Sequence, residues 1–158
     1  MPEDFEALPV GKAEVIARGE GALLLGIGTG VGICRRAARL LVEQHGLRPT
    51  VVNARFLKPI DEGLIRELAS QHELVVTVEE STARGGFGAA VQGLFAEEAS
   101  VPVKSFAIPD YFVPHGNRNK LLRDIGLNPE AVSAYVGERL LKKKIVSAER
   151  KKASGEDS

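Results

Sequence analysis

The sequence predicts an α/β fold, in which an open, mostly parallel sheet of five strands carries helices on both faces. Its 158 residues, 44% of them hydrophobic and 27% charged, are typical of one globular domain. Short apolar runs alternate with amphipathic stretches, and only a few residues separate them. This alternation is typical of parallel strands that are joined by right-handed helical crossovers.

Five apolar segments are predicted strands. The run ALLLGI at residues 22–27 is nearly unbroken, which predicts a strand buried on both faces. The later segments are rich in valine, a residue that favours strands. In chain order, the predicted strands cover residues 13–17, 22–27, 50–54, 74–78 and 101–108.

Five amphipathic segments are predicted helices. In the first, Ile33 and Ala37 belong to an apolar set at helical spacing, and Gly46 is a typical C-cap. Asp61 is the predicted N-cap of the second helix, and the Asn-Pro pair at 128–129 favours the start of the last. The predicted helices cover residues 31–45, 62–72, 87–99, 117–125 and 129–142.

Both ends differ from this folded domain, which we place at residues 12–142. Residues 1–11 contain prolines and predict an extended lead-in, and the polar residues 143–158 predict a frayed helix end that passes into disorder. The acidic N-terminus is not typical of a signal peptide, and no apolar run approaches the ~18 residues of a membrane span. The single cysteine, Cys34, cannot form an internal disulfide and is predicted to be a small buried hydrophobe. Since nothing in the sequence indicates a signal peptide, a membrane span or a disulfide, we expect a cytoplasmic protein without a membrane partner.

The charge balance and the histidines limit the classes of function. The formal net charge is zero, which argues against a domain built to bind nucleic acid. His45 and His72 end predicted helices, where the helix dipole favours a cation. His115 lies in a loop, where a structural role is commoner than catalysis. We therefore expect no metal site.

The glycine-rich segment GIGTGVG at residues 26–32 resembles a dinucleotide-binding turn, but its spacing fails. Where the fingerprint requires a third glycine, the chain has Val31 or Ile33, and no acidic residue ends the next predicted strand. We predict that the glycines let the helix pack closely against the strand. A helix N-terminus that meets a phosphate or a carboxylate is the lesser alternative.

Arg55 and Lys58 follow the predicted strand at residues 50–54. Open α/β sheets bind ligands beyond the carboxyl ends of their strands, and a guanidinium there can bind a phosphate with charge-assisted hydrogen bonds. An exposed basic loop without a ligand is an equally good interpretation of this position alone.

Two carboxylates, Glu79 and Glu80, end another predicted strand. A carboxylate pair at this edge suits acid–base chemistry, but neighbours on a strand point to opposite faces and cannot act on one atom. We favour a structural role, in which they hold the following turn through Arg84 or through backbone donors at the next helix.

Four segments together resemble the C-terminal domain of the transketolase superfamily. They are residues 8–15 (LPVGKAEV), 53–61 (NARFLKPID), 78–80 (VEE) and 85–88 (GGFG), which occur in the superfamily's order and at its spacing. Within that superfamily, three features are similar to the 1-deoxy-D-xylulose-5-phosphate synthase family. They are ARFLKPID at residues 54–61, PDYF at 109–112 followed by His115-Gly116, and LLRDIGL at 121–127.

The resemblance implies an enzyme that joins pyruvate to glyceraldehyde 3-phosphate with loss of carbon dioxide. Thiamine diphosphate and magnesium would do the chemistry in two earlier domains, so we expect no cofactor in this domain and an inactive isolated chain. We also expect those domains upstream of Met1, in a homodimeric enzyme. The family's Gly-Asp-Gly metal motif does not occur here.

The same resemblance implies that Arg55 binds the substrate's phosphate, and that Phe56, Lys58 and His115 lie near the cleft between domains. It also implies one antiparallel edge strand. We assign that strand to residues 13–17, because the turn that joins it to 22–27 is too short for a crossover.

Two other hypotheses stay open at this point. The chain can be the C-terminal domain of a transketolase or of a 2-oxoacid dehydrogenase β subunit that serves assembly. It can also be a free-standing interaction module, in which the basic residues at 142–144 and 150–152 dock an acidic partner.

Overall fold

The computed structural model describes residues 7–96, 101–112 and 115–154. Ten helices and strands occupy these ranges, and their order follows the predicted alternation. They are β1 (Glu14–Ala17), β2 (Ala22–Gly26), α1 (Gly30–His45), β3 (Thr50–Asn53), α2 (Glu62–Ala69), β4 (Leu74–Thr82), α3 (Phe87–Leu94), β5 (Val103–Ile108), α4 (Arg118–Asp124) and α5 (Pro129–Ser154).

The five strands form one sheet in the order β1-β3-β2-β4-β5. Strands β2 to β5 are parallel to one another, and β1 is antiparallel to β3, with Glu14 opposite Asn53. The predicted antiparallel edge strand is therefore confirmed. Its neighbour is β3, however, although the short turn joins it to β2. Both edges of β2 already pair with β3 and β4, so β1 covers the free edge of β3 instead.

Helices cover both faces of the sheet, as predicted. Leu24 in β2 points into a core formed with α1 and α5, and its neighbours Leu23 and Leu25 point into a second core with α2 and α3. Every residue of β2 is buried, which explains why its sequence is apolar without alternation.

The last helix is longer than predicted, because α5 continues past Lys142 to Ser154. Residues 143–154 contain no glycine or proline, and their lysines, arginine, glutamate and alanines favour helix. The Lys143 Nζ also lies 2.8 Å from the Glu73 Oε2. Residues 143–154 are therefore helical where we predicted a frayed helix end that passes into disorder, and residues 155–158 lie outside the described ranges, as do 1–6 of the lead-in.

Two boundaries in the middle of the chain also shift. Strand β4 runs four residues past the predicted end, so Glu79 and Glu80 lie within it rather than after it. Helix α3 ends at Leu94, and residues 97–99 of the predicted helix lie outside the described ranges.

Candidate functional site

The carboxyl ends of the parallel strands β2 to β5 meet at one edge of the sheet, and the loops that follow them carry the predicted site residues. Arg55 follows β3 by two residues and has a left-handed backbone with φ 57°. Its backbone N–H donates to the Asn53 Oδ1 over 3.1 Å, which holds this uncommon conformation. The backbone therefore fixes the direction in which the Arg55 side chain leaves the loop.

The Arg55 guanidinium forms an ion pair across the sheet edge. Its Nη2 lies 2.9 Å from the Glu14 Oε2 on β1, and 22% of the Arg55 side chain is exposed. A guanidinium has five N–H donors, so this pairing leaves donors for a second anion. The predicted phosphate role of Arg55 stays a prediction.

Asp61 ties the same loop to the start of β1 and is the confirmed N-cap of α2. Its Oδ1 accepts from the Leu64 N–H over 3.4 Å, and its Oδ2 accepts from the Ala13 N–H over 3.1 Å. The Lys12 Nζ lies 3.7 Å from this nearly buried carboxylate. Residues 54–61 are thus held at both ends.

The other predicted cleft residues do not join Arg55 in one cluster. Lys58 is exposed and Phe56 is half-buried in the Arg55 loop, whereas His115 is exposed in the loop that follows β5. Strands β2 and β4 lie between β3 and β5, and no hydrogen bond or ion pair joins these side chains. Phe112, three residues before His115 in the sequence, is fully exposed.

Glu79 is a buried cap for α3. Its Oε2 accepts from the Phe87 N–H and its Oε1 from the Gly88 N–H, each over 2.7 Å, and the residue is 2% exposed. A Cβ at Gly86 would lie 2.4 Å from the Glu79 Oε2, so the turn needs glycine there. The structural interpretation through backbone donors is therefore confirmed for Glu79.

Glu80 points to the opposite face and joins two helices. It accepts from the Thr29 Oγ1 over 2.7 Å, and both the Nε and the Nη2 of Arg118 donate to it. Arg118 was not predicted from the sequence, because no local pattern links it to Glu80, which lies 38 positions away. Arg84 does not hold this turn through either glutamate; its Nη1 lies 3.1 Å from the Asp110 Oδ2.

The glycine-rich turn before α1 serves packing, as predicted. A Cβ on Gly30 would lie 2.1 Å from the Val78 carbonyl oxygen, so only glycine lets α1 start this close to β4. The N–H groups of Gly30 and Val31 donate to the Ile27 and Gly28 carbonyls within the turn. These donors are therefore not available to a phosphate.

The other side chains that could take part in catalysis are either buried or already hydrogen-bonded within the fold. Burial raises the pKa of the Cys34 thiol to about 12, which keeps it protonated and unreactive at neutral pH. The His72 ring contacts the Leu68 carbonyl at 2.6 Å and the Thr50 hydroxyl at 2.8 Å, so both its nitrogens have partners. Among residues 7–96, 101–112 and 115–154, no group of three or more His, Cys, Asp and Glu side chains is placed to hold a metal.

The described helices include none that is long and apolar enough to cross a membrane.

Comparison with known proteins agrees with the resemblance seen in the motifs. Residues 11–132 match the family model described as transketolase, C-terminal domain. The 1-deoxy-D-xylulose-5-phosphate synthase of Gloeothece citriformis is 45% identical over 143 residues, which are 90% of this chain and 22% of that protein. The synthase of Pelotomaculum thermopropionicum is 42% identical over 146 residues, or 91% of this chain and 23% of that protein. The chain thus spans less than a quarter of the curated relatives it matches.

Solved structures show the same fold. A split-gene transketolase, described as an inactive β4 tetramer, superimposes with a TM-score of 0.78 at 32% identity, over 89% of this chain and 46% of that one. A Pichia stipitis transketolase in complex with sedoheptulose 7-phosphate superimposes with a TM-score of 0.58 at 14% identity, over 85% of this chain and 18% of that one. The second likeness concerns the fold alone.

Proposed function

Because the chain belongs to the transketolase C-terminal domain family, we propose that it is the C-terminal domain of a 1-deoxy-D-xylulose-5-phosphate synthase. The observation that carries this proposal is 42–45% identity to synthases of that name over about nine-tenths of the chain. The full enzyme would condense pyruvate with glyceraldehyde 3-phosphate and release carbon dioxide, and it would work as a cytoplasmic homodimer.

The described residues of this domain do not fit a thiamine diphosphate and magnesium site. The N-terminus of α3 already holds the Glu79 carboxylate, and the first N–H groups of α1 donate within their own turn. No cluster of metal-ligating side chains occurs in the part of the chain that the structure describes. We therefore propose that other domains of the enzyme hold the cofactor, and we expect the isolated chain to be inactive.

Within the enzyme, the role proposed for Arg55 is to bind the phosphate of the aldehyde substrate. Its fixed backbone and its position beyond the carboxyl end of β3 support this role. Glu14 occupies one side of the guanidinium, which leaves the remaining N–H groups for a phosphate. Lys58 and His115 are proposed as lesser contributors at the same edge.

The split-gene transketolase supports a second candidate. In that relative, a chain about twice as long as this one contains the matched domain, and it is described as an inactive tetramer. By this alternative, the chain is the C-terminal part of a transketolase-type enzyme whose halves are separate polypeptides.

A domain exchange tests the first proposal. We would replace the matching C-terminal domain of the Gloeothece citriformis synthase with this chain and measure product formation from pyruvate and glyceraldehyde 3-phosphate. The chimera should be active, and the isolated chain should form no product. A folded, dimeric chimera without activity, or turnover by the isolated chain, would contradict the proposal.

The active chimera then tests Arg55. Arg55→Ala should raise the KM for glyceraldehyde 3-phosphate by about tenfold or more with a smaller change in kcat, because a charge-assisted contact to the bound substrate is lost. Arg84→Ala is the matched control, since Arg84 is an exposed arginine at the same edge. If KM stays unchanged, the role of Arg55 is wrong and the domain assignment still stands.

A further inference from the structure

The chain has no net charge, yet its arginines are concentrated on one side of the molecule. A groove of about 1070 Å³ runs between α1 and α4, and its lining includes Arg36, Arg39, Arg118 and Arg123. A second groove, of about 470 Å³, lies on the other side of α1. Its lining shares Arg39 and adds Arg18, Arg35 and Arg48.

Seven of the chain's twelve arginines therefore line two grooves that share one helix. We call this surface, made of α1 and its two flanking grooves, the arginine face. No lysine lines either groove among the residues whose side chains the structure describes. Guanidinium groups differ from ammonium groups in that they bind carboxylates in a planar, two-point geometry and are enriched at protein interfaces.

Most of these arginines have no ion-pair partner within the described residues. Arg118 is held by Glu80, but no carboxylate of the described ranges forms an ion pair with the other six, and all of them are exposed. Glu43 lines both grooves without neutralising any of them. The fold does not use these positive charges, in contrast to Arg55 and Arg84, which are both paired.

Both grooves also offer apolar surface. Ile33, Leu40 and Leu122 line the first groove, and Ile16 and Val42 line the second. Val42 stays 40% exposed although it is a large hydrophobic residue. Apolar surface beside unpaired arginines fits a ligand that carries both carboxylates and apolar side chains.

From this combination we infer that the arginine face docks an acidic, amphipathic polypeptide segment of a partner. The carboxylates of the segment pair with the arginines of α1, and its apolar side chains enter the two grooves. A nucleic acid, which binds mainly through its phosphates, would leave the apolar surface of both grooves unused. A second copy of the chain, docked face to face, would place arginine against arginine.

The sequence suggested the basic end of α5 as the docking site for an acidic partner, but the arginine face fits such a partner better. There, Lys142 pairs with Glu138 and Lys143 pairs with Glu73, so the fold already neutralises part of that charge. The arginines of α1 are not neutralised in this way. The inference is independent of the proposed catalytic function, since it concerns no residue assigned to substrate binding.

The test uses the full 158-residue chain and a short fluorescein-labelled peptide with glutamates along one side of a helix and leucines along the other. The matched probe carries glutamine in place of each glutamate. Fluorescence anisotropy should show binding of the glutamate peptide that weakens with salt, and binding of the glutamine peptide should be at least about tenfold weaker.

Charge reversal then locates the site. Arg36→Glu combined with Arg39→Glu should weaken peptide binding by at least about tenfold, because it places like charges opposite the peptide. Lys144→Glu combined with Arg150→Glu makes the same change in net charge on the exposed end of α5 and should change binding by less than about twofold. If the first double variant unfolds, Arg35→Glu combined with Arg48→Glu reports on the second groove.

Three outcomes would overturn the inference. The first is that the glutamate peptide does not bind, and the second is that the two double variants bind it equally. The third is that another ligand occupies the arginine face: duplex DNA binds it as tightly as the peptide does, or sedimentation shows that the chain self-associates through it. Val42→Ser separates these cases, because it should weaken binding of the leucine-bearing peptide and leave a purely electrostatic ligand unaffected.

Discussion

The two faces of the sheet treat their charged residues differently. On the face covered by α2 and α3, the buried carboxylates of Glu79 and Asp61 accept hydrogen bonds from backbone N–H groups. On the face covered by α1, α4 and α5, only Arg118 among the groove arginines forms an ion pair within the described ranges. The first set of charges belongs to the fold, and the second is left available to a partner.

The largest effect is expected where α1 meets the sheet. In Gly30→Ala the new Cβ would lie 2.1 Å from the Val78 carbonyl oxygen, and neither backbone can move without disturbing the core. We expect a loss of at least about 3 kcal/mol in the free energy of unfolding, measured by urea denaturation.

Gly32→Ala is the matched control, two residues further along the same helix. Nothing lies within 4 Å of a Cβ at Gly32, so the substitution should be neutral or should stabilise the chain by up to about 1 kcal/mol. If both variants unfold alike, the close contact between α1 and β4 does not determine the stability of this face.

Removal of the buried Glu79 carboxylate, on the other face of the sheet, should lower the free energy of unfolding nearly as much as Gly30→Ala does. Glu79→Ala leaves the N–H groups of Phe87 and Gly88 buried without partners, at about 1–3 kcal/mol each. We expect a total loss of about 3 kcal/mol and faster amide exchange in the first turn of α3. Glu79→Gln should recover part of the loss, since its carbonyl oxygen can accept one of the two hydrogen bonds. An unaffected α3 would show that the cap is not needed.

The sequence predicted most of the fold because the apolar patterns are strong. The nearly unbroken apolar run ALLLGI indicates a buried strand, and the amphipathic segment 31–45 indicates a helix. Both elements lie where they were predicted. The pairing of β1 with β3 depends on which sheet edge stays free, which no local pattern reports. The continuation of α5 was missed because composition alone does not separate an exposed helix from disorder.

The candidate site was predictable only in part, and the reason is distance along the chain. Arg55 was found because it follows a strand, and the Asp61 cap was found because it precedes a helix. The partners of Arg55 and Glu80, which are Glu14 and Arg118, are brought to them by tertiary structure. Likewise, the arginines of the arginine face come from α1, α4 and two loops, so they form no contiguous motif.

A smaller effect is expected for the link between Glu80 and Arg118. In a double-mutant cycle with Glu80→Ala and Arg118→Ala, we expect a coupling free energy of about 0.5–1 kcal/mol, because 22% of the Glu80 and 58% of the Arg118 side chain is exposed. The Arg84–Asp110 pair, which is more exposed at 85% and 58%, should show a coupling closer to zero. Equal couplings would indicate that Glu80 does not hold α4 more firmly than an ordinary surface pair does.

The smallest effect is expected at the basic end of α5, and it sharpens the contrast between its lysines and the arginines of α1. The hydrogen bond from Lys142, together with its charge, lowers the pKa of Glu138 below the usual 4.5. A carboxyl pKa that is lower in the folded than in the unfolded chain stabilises the folded state at pH values above the unfolded-state pKa. This stabilisation is lost as the pH falls through the folded-state pKa. Since Glu138 is fully exposed, the shift should be visible in an NMR titration of its carboxyl carbon rather than in unfolding experiments. Lys142→Ala should return the pKa of Glu138 towards 4.5, whereas the control Lys144→Ala should leave that pKa lowered. If both variants change the pKa of Glu138 equally, no specific pair neutralises this end of the helix.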